Sequence, residues 1–220
     1  MAKELIGMIP PILTPFNADG SINDLKLGKE MDYAIDAGVH GLSVGGSTGE
    51  GPTLRDEELR DLITIAKEHV RPEQPIVCGI MRTCTRDAVR AGLVAKDAGA
   101  DAIMVTPTAY NVLVPDEEGM FDFYSTLSRE VELPIIIYNN KPKTNVTVEP
   151  ATIARLAKVE NIIAAKDSTG DMTNTEEYIR LTRDIPGFHV MMGRDTLIYA
   201  ALCYGAVGAI TSCGNVAPAI

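Results

Sequence analysis

A lysine stands at the end of a short apolar run, where a charged side chain is costly to bury. Residues 161–167 read NIIAAKD, and Lys166 follows small and β-branched side chains that are typical of a buried strand. Burial lowers the pKa of a lysine, and a neutral amine is a nucleophile. Such an amine can form a Schiff base with a ketone, which eases formation or cleavage of the adjacent carbon–carbon bond. Lys166 is therefore the first candidate for covalent chemistry.

Tyr138 ends the preceding apolar run, LPIIIYNN at residues 133–140. If the two runs are neighbouring strands, the phenol and the amine could meet, and the phenol could relay protons during formation and cleavage of an imine. Lys166 is in phase with Ile162 and Ala164, so these three side chains are expected to share one face of the strand. Two other interpretations are open: Lys166 extends its amine into water, and Tyr138 is an ordinary strand tyrosine.

The glycine-rich stretch GGSTGEG, residues 45–51, is a second place for chemistry. Its glycines allow a tight turn, so the amides and hydroxyls of Ser47 and Thr48 could cradle an anion such as a carboxylate. An ordinary glycine-rich turn is the alternative. The stretch also matches a nucleophile elbow centred on Ser47, with Asp167 and His189 in the order of a hydrolase triad. That hydrolase is a distant alternative, because the elbow follows only the second strand and His189 starts the seventh.

Eight short apolar runs supply the elements that must position these residues. They read MIPPILTPF, VHGLSVGG, PIVCGIM, DAIMVTP, LPIIIYNN, NIIAAKD, FHVMMGR and AVGAITS. Apolar residues recur at helical spacing between them, as at Leu59, Leu62 and Ala66. Strict alternation implies parallel strands, and eight such units close an α/β fold of the (β/α)8 barrel type; a doubly wound open sheet is the alternative. The carboxyl ends of the strands then bring Tyr138, Lys166 and the glycine-rich stretch to one end of the barrel.

The chain is predicted to form one domain over residues 1–220. With 220 residues, of which 45% are apolar and 23% charged, it can bury a single large core, and it contains no linker. The eighth run is followed directly by NVAPAI, so we expect the barrel to be truncated after strand 8, with its C-terminal helical segment missing.

Composition argues against several classes of protein. A formal charge of −10 and a pI of about 4.8 disfavour nucleic acid as a partner. Because no run reaches about 18 apolar residues and no signal segment opens the chain, we expect neither a membrane protein nor a secreted one. The cysteines lack the spacing of a disulfide framework and the histidines lack metal-ligand spacing, which favours reduced thiols in the cytoplasm and no metal site. These cysteines are Cys78, Cys84, Cys203 and Cys213.

Four motifs, GGSTGE, YNN, AAKDSTGD and GRDTLIYAALCYGAVGAIT, together resemble the dihydrodipicolinate synthase and N-acetylneuraminate lyase family of class I aldolases. The likeness runs from GMIPPILTPF to GNVAP, with the motifs in family order and at family spacing. The resemblance implies a (β/α)8 barrel, usually tetrameric, whose lysine forms a Schiff base with pyruvate or a related 2-oxo acid. It implies a cytoplasmic carbon–carbon lyase that uses pyruvate and an aldehyde and needs no cofactor.

The same resemblance assigns roles to individual residues. Lys166 would be the Schiff-base lysine and Tyr138 the proton-relaying tyrosine, and Tyr110 is a candidate second catalytic tyrosine. Ser47 and Thr48 would bind the carboxylate of pyruvate. The other candidate substrate-binding residues are Gly46, Lys143, Ser168, Gly193, Asp195, Ile210 and Ser212.

Departures from the family patterns bear on the reaction. The stretch GLSVGGSTGE and Ser212 look closer to the 2-keto-3-deoxy sugar acid aldolases and N-acetylneuraminate lyases, so a reaction of that type is expected. Asp195 matches their sugar-binding aspartate, but Thr196 stands where they have glutamate. Lys143 stands where dihydrodipicolinate synthases have arginine, yet 4-hydroxy-tetrahydrodipicolinate synthase, which joins pyruvate to aspartate semialdehyde, is the alternative enzyme. A binding protein whose chemistry has lapsed is the alternative outside catalysis.

Overall fold

The computed structural model describes residues 3–110 and 115–219, in which strands and helices alternate along the chain. The strands are β1 Gly7–Met8, β2 Leu42–Val44, β3 Ile76–Ile80, β4 Ala102–Val105, β5 Ile135–Asn139, β6 Ile162–Asp167, β7 His189–Met192 and β8 Gly208–Ala209. The α-helices are α1 Asp24–Asp36, α2 Asp56–His69, α3 Thr85–Ala98, α4 Glu117–Val131, α5 Lys141–Thr144, α6 Pro150–Leu156, α7 Met172–Thr182 and α8 Ile198–Tyr204. Short 3₁₀ helices span Gly51–Thr53, Asp195–Leu197 and Ser212–Asn215.

The strands form one parallel sheet that closes on itself. Their order is β1-β8-β7-β6-β5-β4-β3-β2. The two outer strands of this order are joined where the chain after β1 meets β2: Ile12 N–H donates to Ser43 O at 2.8 Å, and Ser43 N–H donates to Pro10 O at 2.9 Å. The closed sheet confirms the predicted (β/α)8 barrel and not the doubly wound open sheet.

The join between β1 and β2 is sparse in hydrogen bonds. The run MIPPILTPF contributes only Met8 to a regular strand, since β1 covers two residues. Pro10 and Pro11 have no amide hydrogen to donate, which interrupts the ladder at this point. Besides the two bonds of Ser43, the join is held by His40 N–H, which donates to Met8 O at 2.8 Å.

Apolar side chains fill two layers, because successive residues of a strand point to opposite faces of the sheet. The layer inside the barrel contains Leu5, Ile9, Val77, Ala102, Met104, Ile136, Tyr138, Ala164, Met191 and Ile210. The outer layer lies between the sheet and the helices and includes Leu59, Leu62 and Ala66 of α2. The helical spacing seen in the sequence therefore marks the face of α2 that packs on the barrel.

Strand β6 departs from the expected phase at its first residues. Ile135 pairs with Ile162, but the next residue, Ile136, pairs with Ala164, so the register slips by one. Ile162 consequently packs in the outer layer, whereas Ala164 lies inside the barrel. The expectation that Ile162 shares a face with Lys166 is wrong, because the slip reverses its direction. The expectation that Ala164 shares a face with Lys166 is confirmed.

Three further predictions concern the segment after β8, membrane-spanning helices and the number of domains. Strand β8 is followed by the 3₁₀ helix Ser212–Asn215 where a barrel would have its last covering helix. Among the residues that the structure describes, every helix is too short or too polar to span a bilayer. The assignment of residues 1–220 to a single domain stays a prediction.

Leu62→Ala is expected to lower the free energy of unfolding by about 2–5 kcal/mol, because truncation leaves a cavity in the outer layer. Leu62 is only 1% exposed, and urea denaturation followed by circular dichroism measures the change. Leu25→Ala is the matched control: Leu25 also lies in a helix but is 82% exposed, so its cost should stay within about 0.5 kcal/mol. Equal costs for the two variants would contradict the packing described for α2.

Candidate active site

Lys166 and Tyr138 lie side by side at the carboxyl ends of β6 and β5. They are paired in the sheet register, and the Nζ atom of Lys166 is 4.0 Å from the centroid of the Tyr138 ring. Both are buried, with 3% of Lys166 and 4% of Tyr138 exposed. The predicted meeting of amine and phenol inside the barrel is confirmed. The alternative in which the lysine extends into water is wrong.

Burial lowers the pKa of the Lys166 amine, because the barrel wall replaces the water that would stabilise an ammonium ion. The neighbouring Tyr138 and Asp195 favour the charged amine, whereas the positive charge of Lys143 opposes it. The net shift is downward. At a given pH, more of this amine is therefore neutral than in an exposed lysine, and the neutral form is the nucleophile.

The Tyr138 phenol sits among polar groups at the inner end of the site. Its oxygen accepts a hydrogen bond from Asn140 Nδ2 at 2.7 Å. Burial raises the pKa of Tyr138, while the charge of Lys166 lowers it. The hydroxyls of Ser47 and Ser168 also stabilise the charged phenol, so the net direction of the pKa shift is downward. A phenol of this kind exchanges its proton readily, as a proton relay must.

Gly193 provides the space that the lysine side chain occupies. A Cβ atom at this position would lie 2.9 Å from Cε of Lys166 and would overlap Oγ of Ser168. Backbone bonds hold the glycine there, since Gly193 N–H donates to Asp167 O at 2.7 Å. Ser168 Oγ in turn donates to Gly193 O at 3.2 Å. Any side chain at position 193 would therefore displace the amine.

A cavity of about 330 Å³ opens over Lys166 and Tyr138 at the carboxyl end of the barrel. It brings together most of the residues that the sequence predicted for the site. Those that line it are Ser47, Thr48, Tyr138, Lys143, Lys166, Ser168, Gly193, Asp195, Ile210 and Ser212. The buried residues form its inner end, and Lys143, Asp195 and Ser212 form an exposed rim.

Two predicted site residues lie outside this cavity. Gly46 is buried in the turn after β2, where its carbonyl oxygen accepts from Gly51 N–H at 2.9 Å. Tyr110 is 84% exposed and lines a neighbouring cavity of about 260 Å³, which shares Ser47, Asn140 and Lys143 with the first. The structure therefore does not bring Tyr110 together with the amine, and its catalytic role stays a prediction.

The turn after β2 is built for a tight change of direction. Gly45 has φ of 62°, in the left-handed region that favours glycine. The hydroxyls of Thr48 and Ser212 are 3.0 Å apart, which joins this turn to the chain after β8. Ser47 Oγ donates to Met81 Sδ at 3.5 Å. His189 is the first residue of β7, so it lies at the end of the barrel opposite to the turn that contains Ser47. The hydrolase triad does not assemble.

The cavity also contains residues that the sequence analysis did not select. These are Pro11, Asn140, Pro142, Arg194 and Thr196. Arg194 and Asn140 could have been assigned to the site, because Asn140 directly follows β5 and Arg194 lies two residues beyond β7. Thr196 was noted only because it stands where N-acetylneuraminate lyases have glutamate, and the two prolines carry no chemical signal in the sequence.

A buried hydrogen-bond network on the outer face of the sheet holds the ends of β5 and β6. Asp167, which is 1% exposed, accepts from Thr175 Oγ1 at 2.7 Å and from Asn174 Nδ2 at 3.1 Å. Asn139 Nδ2 donates to Tyr178 Oη at 2.7 Å. Because Thr175, Asn174 and Tyr178 belong to α7, this helix fixes the two strands that bear the amine and the phenol.

A parallel barrel with a desolvated lysine beside a tyrosine at its strand ends has the architecture of a class I aldolase. Residues 4–220 match the Dihydrodipicolinate synthetase family. The chain belongs to this family and is a carbon–carbon lyase of the class I aldolase type.

Relatives and solved structures agree with this assignment. A 4-hydroxy-tetrahydrodipicolinate synthase from Methanopyrus kandleri is 36% identical over 220 residues, which are 99% of this chain and 72% of the relative. Dihydrodipicolinate synthase DapA-2 from Bacillus anthracis has a TM-score of 0.92 at 31% identity, over 99% of this chain and 73% of that one. YagE is a prophage protein of the dihydrodipicolinic acid synthase family from E. coli K12, and its structure was solved in complex with pyruvate. It has a TM-score of 0.92 at 32% identity, and the match covers 98% of this chain and 72% of YagE.

Lys166→Met is expected to raise the free energy of unfolding near neutral pH by about 1–4 kcal/mol, the range found when apolar residues of similar volume replace buried ion pairs. The pKa of Lys166 is lower in the folded protein than its ordinary value of 10.5, so unfolding takes up protons between the two values. The stability of the native protein therefore rises with pH across this interval. The variant lacks that rise, and its advantage should shrink as the pH approaches 10.5.

Urea denaturation at several pH values measures this difference. Lys158→Met is the matched control, because Lys158 is exposed and its replacement should change stability little at any pH. An advantage of Lys166→Met that stays constant up to high pH would contradict the desolvation of the amine.

Proposed function

We propose that the protein joins pyruvate to an aldehyde through a Schiff base on Lys166, and that the aldehyde is aspartate semialdehyde, as in 4-hydroxy-tetrahydrodipicolinate synthase. The observation that carries the proposal is the buried amine of Lys166, 4.0 Å from the Tyr138 ring centroid. The choice of aldehyde is supported by the Methanopyrus kandleri relative, which bears that enzyme's name. The comparisons thus favour this reaction over the sugar acid aldolase that the sequence motifs predicted.

In the proposed reaction, the neutral amine of Lys166 attacks the ketone carbon of pyruvate, and one water molecule leaves as the imine forms. Tyr138 donates and accepts the protons that this exchange requires. The imine nitrogen takes up a proton, and loss of a proton from the methyl carbon of this cation then gives a neutral enamine. Its carbon attacks the aldehyde carbon, one carbon–carbon bond forms, and the aldehyde oxygen takes up a proton. Water finally hydrolyses the imine, which releases the product and restores the amine.

The cavity offers a separate place for each substrate. The hydroxyls of Ser47 and Thr48 are the proposed contacts of the pyruvate carboxylate, at the turn after β2. Ile210 is fully buried in the wall and suits the methyl end of pyruvate. The aldehyde then occupies the outer part of the cavity, where Lys143 and Asp195 are exposed.

A 2-keto-3-deoxy sugar acid aldolase or N-acetylneuraminate lyase is the second candidate. The adjacent hydroxyls of Thr48 and Ser212, 3.0 Å apart, and the carboxylate of Asp195 favour it, because such groups bind the hydroxyls of a sugar chain. Reaction rates for aspartate semialdehyde and for N-acetylmannosamine, each offered with pyruvate, distinguish the two candidates. Independence from a cofactor, a homotetrameric assembly and a cytoplasmic location stay predictions of the family resemblance.

Lys166→Ala is expected to abolish the covalent adduct that pyruvate and sodium borohydride form with the protein, because Lys166 is the buried lysine of the cavity, whereas Lys143 lies at its exposed rim. Intact-mass spectrometry measures the adduct, and peptide mapping locates it. Lys158→Ala is the matched control and should retain full labelling, since Lys158 is exposed and outside the cavity. An adduct that persists in Lys166→Ala would overturn the proposal.

Tyr138→Phe is expected to lower kcat by about 10²- to 10⁴-fold, the usual contribution of a positioned proton-transfer group. The ring remains, so packing inside the barrel should be preserved. Tyr199→Phe is the control, because Tyr199 is 82% exposed on α8 and should keep wild-type kcat. Steady-state kinetics of both variants give the comparison, and a Tyr138→Phe enzyme with wild-type kcat would remove the phenol from the mechanism.

A further inference from the structure

Two cationic side chains flank the strand that bears the amine. Lys143 lies in α5, directly after β5, and Arg194 follows the end of β7. Strand β6, which carries Lys166, runs between β5 and β7 in the sheet. Both cations line the cavity and both are exposed at its rim. The rim of the cavity therefore carries two positive charges beside the carboxylate of Asp195, although the whole chain carries a formal charge of −10.

Arg194 lines the same cavity as Lys166. It directly follows Gly193, which packs against Cε of Lys166. Its guanidinium lies over the turn after β6, since a Cβ atom on Gly170 would be 3.4 Å from both Nε and Nη2 of Arg194. The absence of a side chain at Gly170, whose φ is 87°, lets the guanidinium lie on the backbone there.

The guanidinium of Arg194 is not engaged by the protein's own acids. Among the residues that the structure describes, it forms no salt bridge. The adjacent Asp195 instead accepts from Cys213 N–H at 3.0 Å. Arg82 makes a contrast, because it donates to Asp56 Oδ1 at 3.2 Å and to Leu54 O at 3.0 Å, and so serves the fold. Arg194, in contrast, lines the cavity.

We propose that Arg194 binds the carboxylate of the acceptor aldehyde and makes the enzyme selective for aldehydes that carry a negative charge. The inference rests on the proposed function, because it assigns a contact to the second substrate of that reaction. A guanidinium presents a planar fork that matches both oxygens of a carboxylate, whereas the ammonium of Lys143 is a point charge. Arg194 thus supplies the bidentate contact that Lys143 cannot make.

The experiment compares two aldehydes of nearly the same size, succinate semialdehyde and its methyl ester, each with pyruvate. The wild-type enzyme should prefer the acid in kcat/KM by about 10- to 100-fold, the effect of a charge-assisted contact. Arg194→Gln should remove most of this preference by slowing the acid and leave the rate with the ester within about threefold. Arg194→Lys should restore part of it, and added salt should weaken it because the rim is exposed.

A control variant and the borohydride-trapped adduct show whether a negative result bears on Arg194 or on the proposed function. Arg183→Gln is the matched control, because Arg183 is an exposed arginine beyond α7 that pairs with Asp184 at 3.6 Å, and its loss should change neither rate. A wild-type enzyme that forms no borohydride-trapped pyruvate adduct would overturn the proposed function itself. If the adduct forms, equal rates for acid and ester, or an unchanged preference in Arg194→Gln, would overturn only the role of Arg194. Loss of the adduct in Arg194→Gln would also overturn the role of Arg194, because it would indicate that Arg194 binds pyruvate and not the aldehyde.

Discussion

The removal of one lysine amine from water is the constraint on which the site depends. An isolated ammonium is costly to bury, so the barrel must close around Lys166 and keep it there by packing. Tyr138 covers the amine from the neighbouring strand, and Gly193 leaves the space for its methylene chain. The result is an amine whose pKa is lowered by its burial.

Strand alternation lets the same segment serve chemistry and stability at once. Lys166 points into the barrel, while the next residue, Asp167, points outward and accepts hydrogen bonds from Thr175 and Asn174 of α7. Likewise Tyr138 faces inward and Asn139 binds Tyr178 on the outer face. The buried carboxylate and its donors therefore anchor the strand ends on one side, so that the reacting groups on the other side keep a fixed separation.

The sequence predicted the barrel and most of the cavity wall, because the carboxyl ends of parallel strands converge whatever the details of packing. Tyr138 and Lys166 could be paired for this reason alone. The direction of Ile162 could not be predicted, since the register slip depends on how β5 packs against β6. Tyr110 was predicted to be catalytic from the family motif only. It lies in a loop, where no strand or helix periodicity predicts the direction of a side chain. Arg194 stands at the end of the seventh apolar run, but nothing in the sequence gave a reason to assign it a role.

The two prolines that follow β1 have a consequence for how the cylinder comes apart. Pro10 and Pro11 leave the β1–β2 boundary with few backbone bonds, while β5 and β6 are paired without interruption from Ile136 to Asn139. Local unfolding starts where backbone bonds are fewest. The barrel is thus expected to part first beside β2, which would carry Ser47 and its turn away while Lys166 and Tyr138 stay together on the most firmly paired strands.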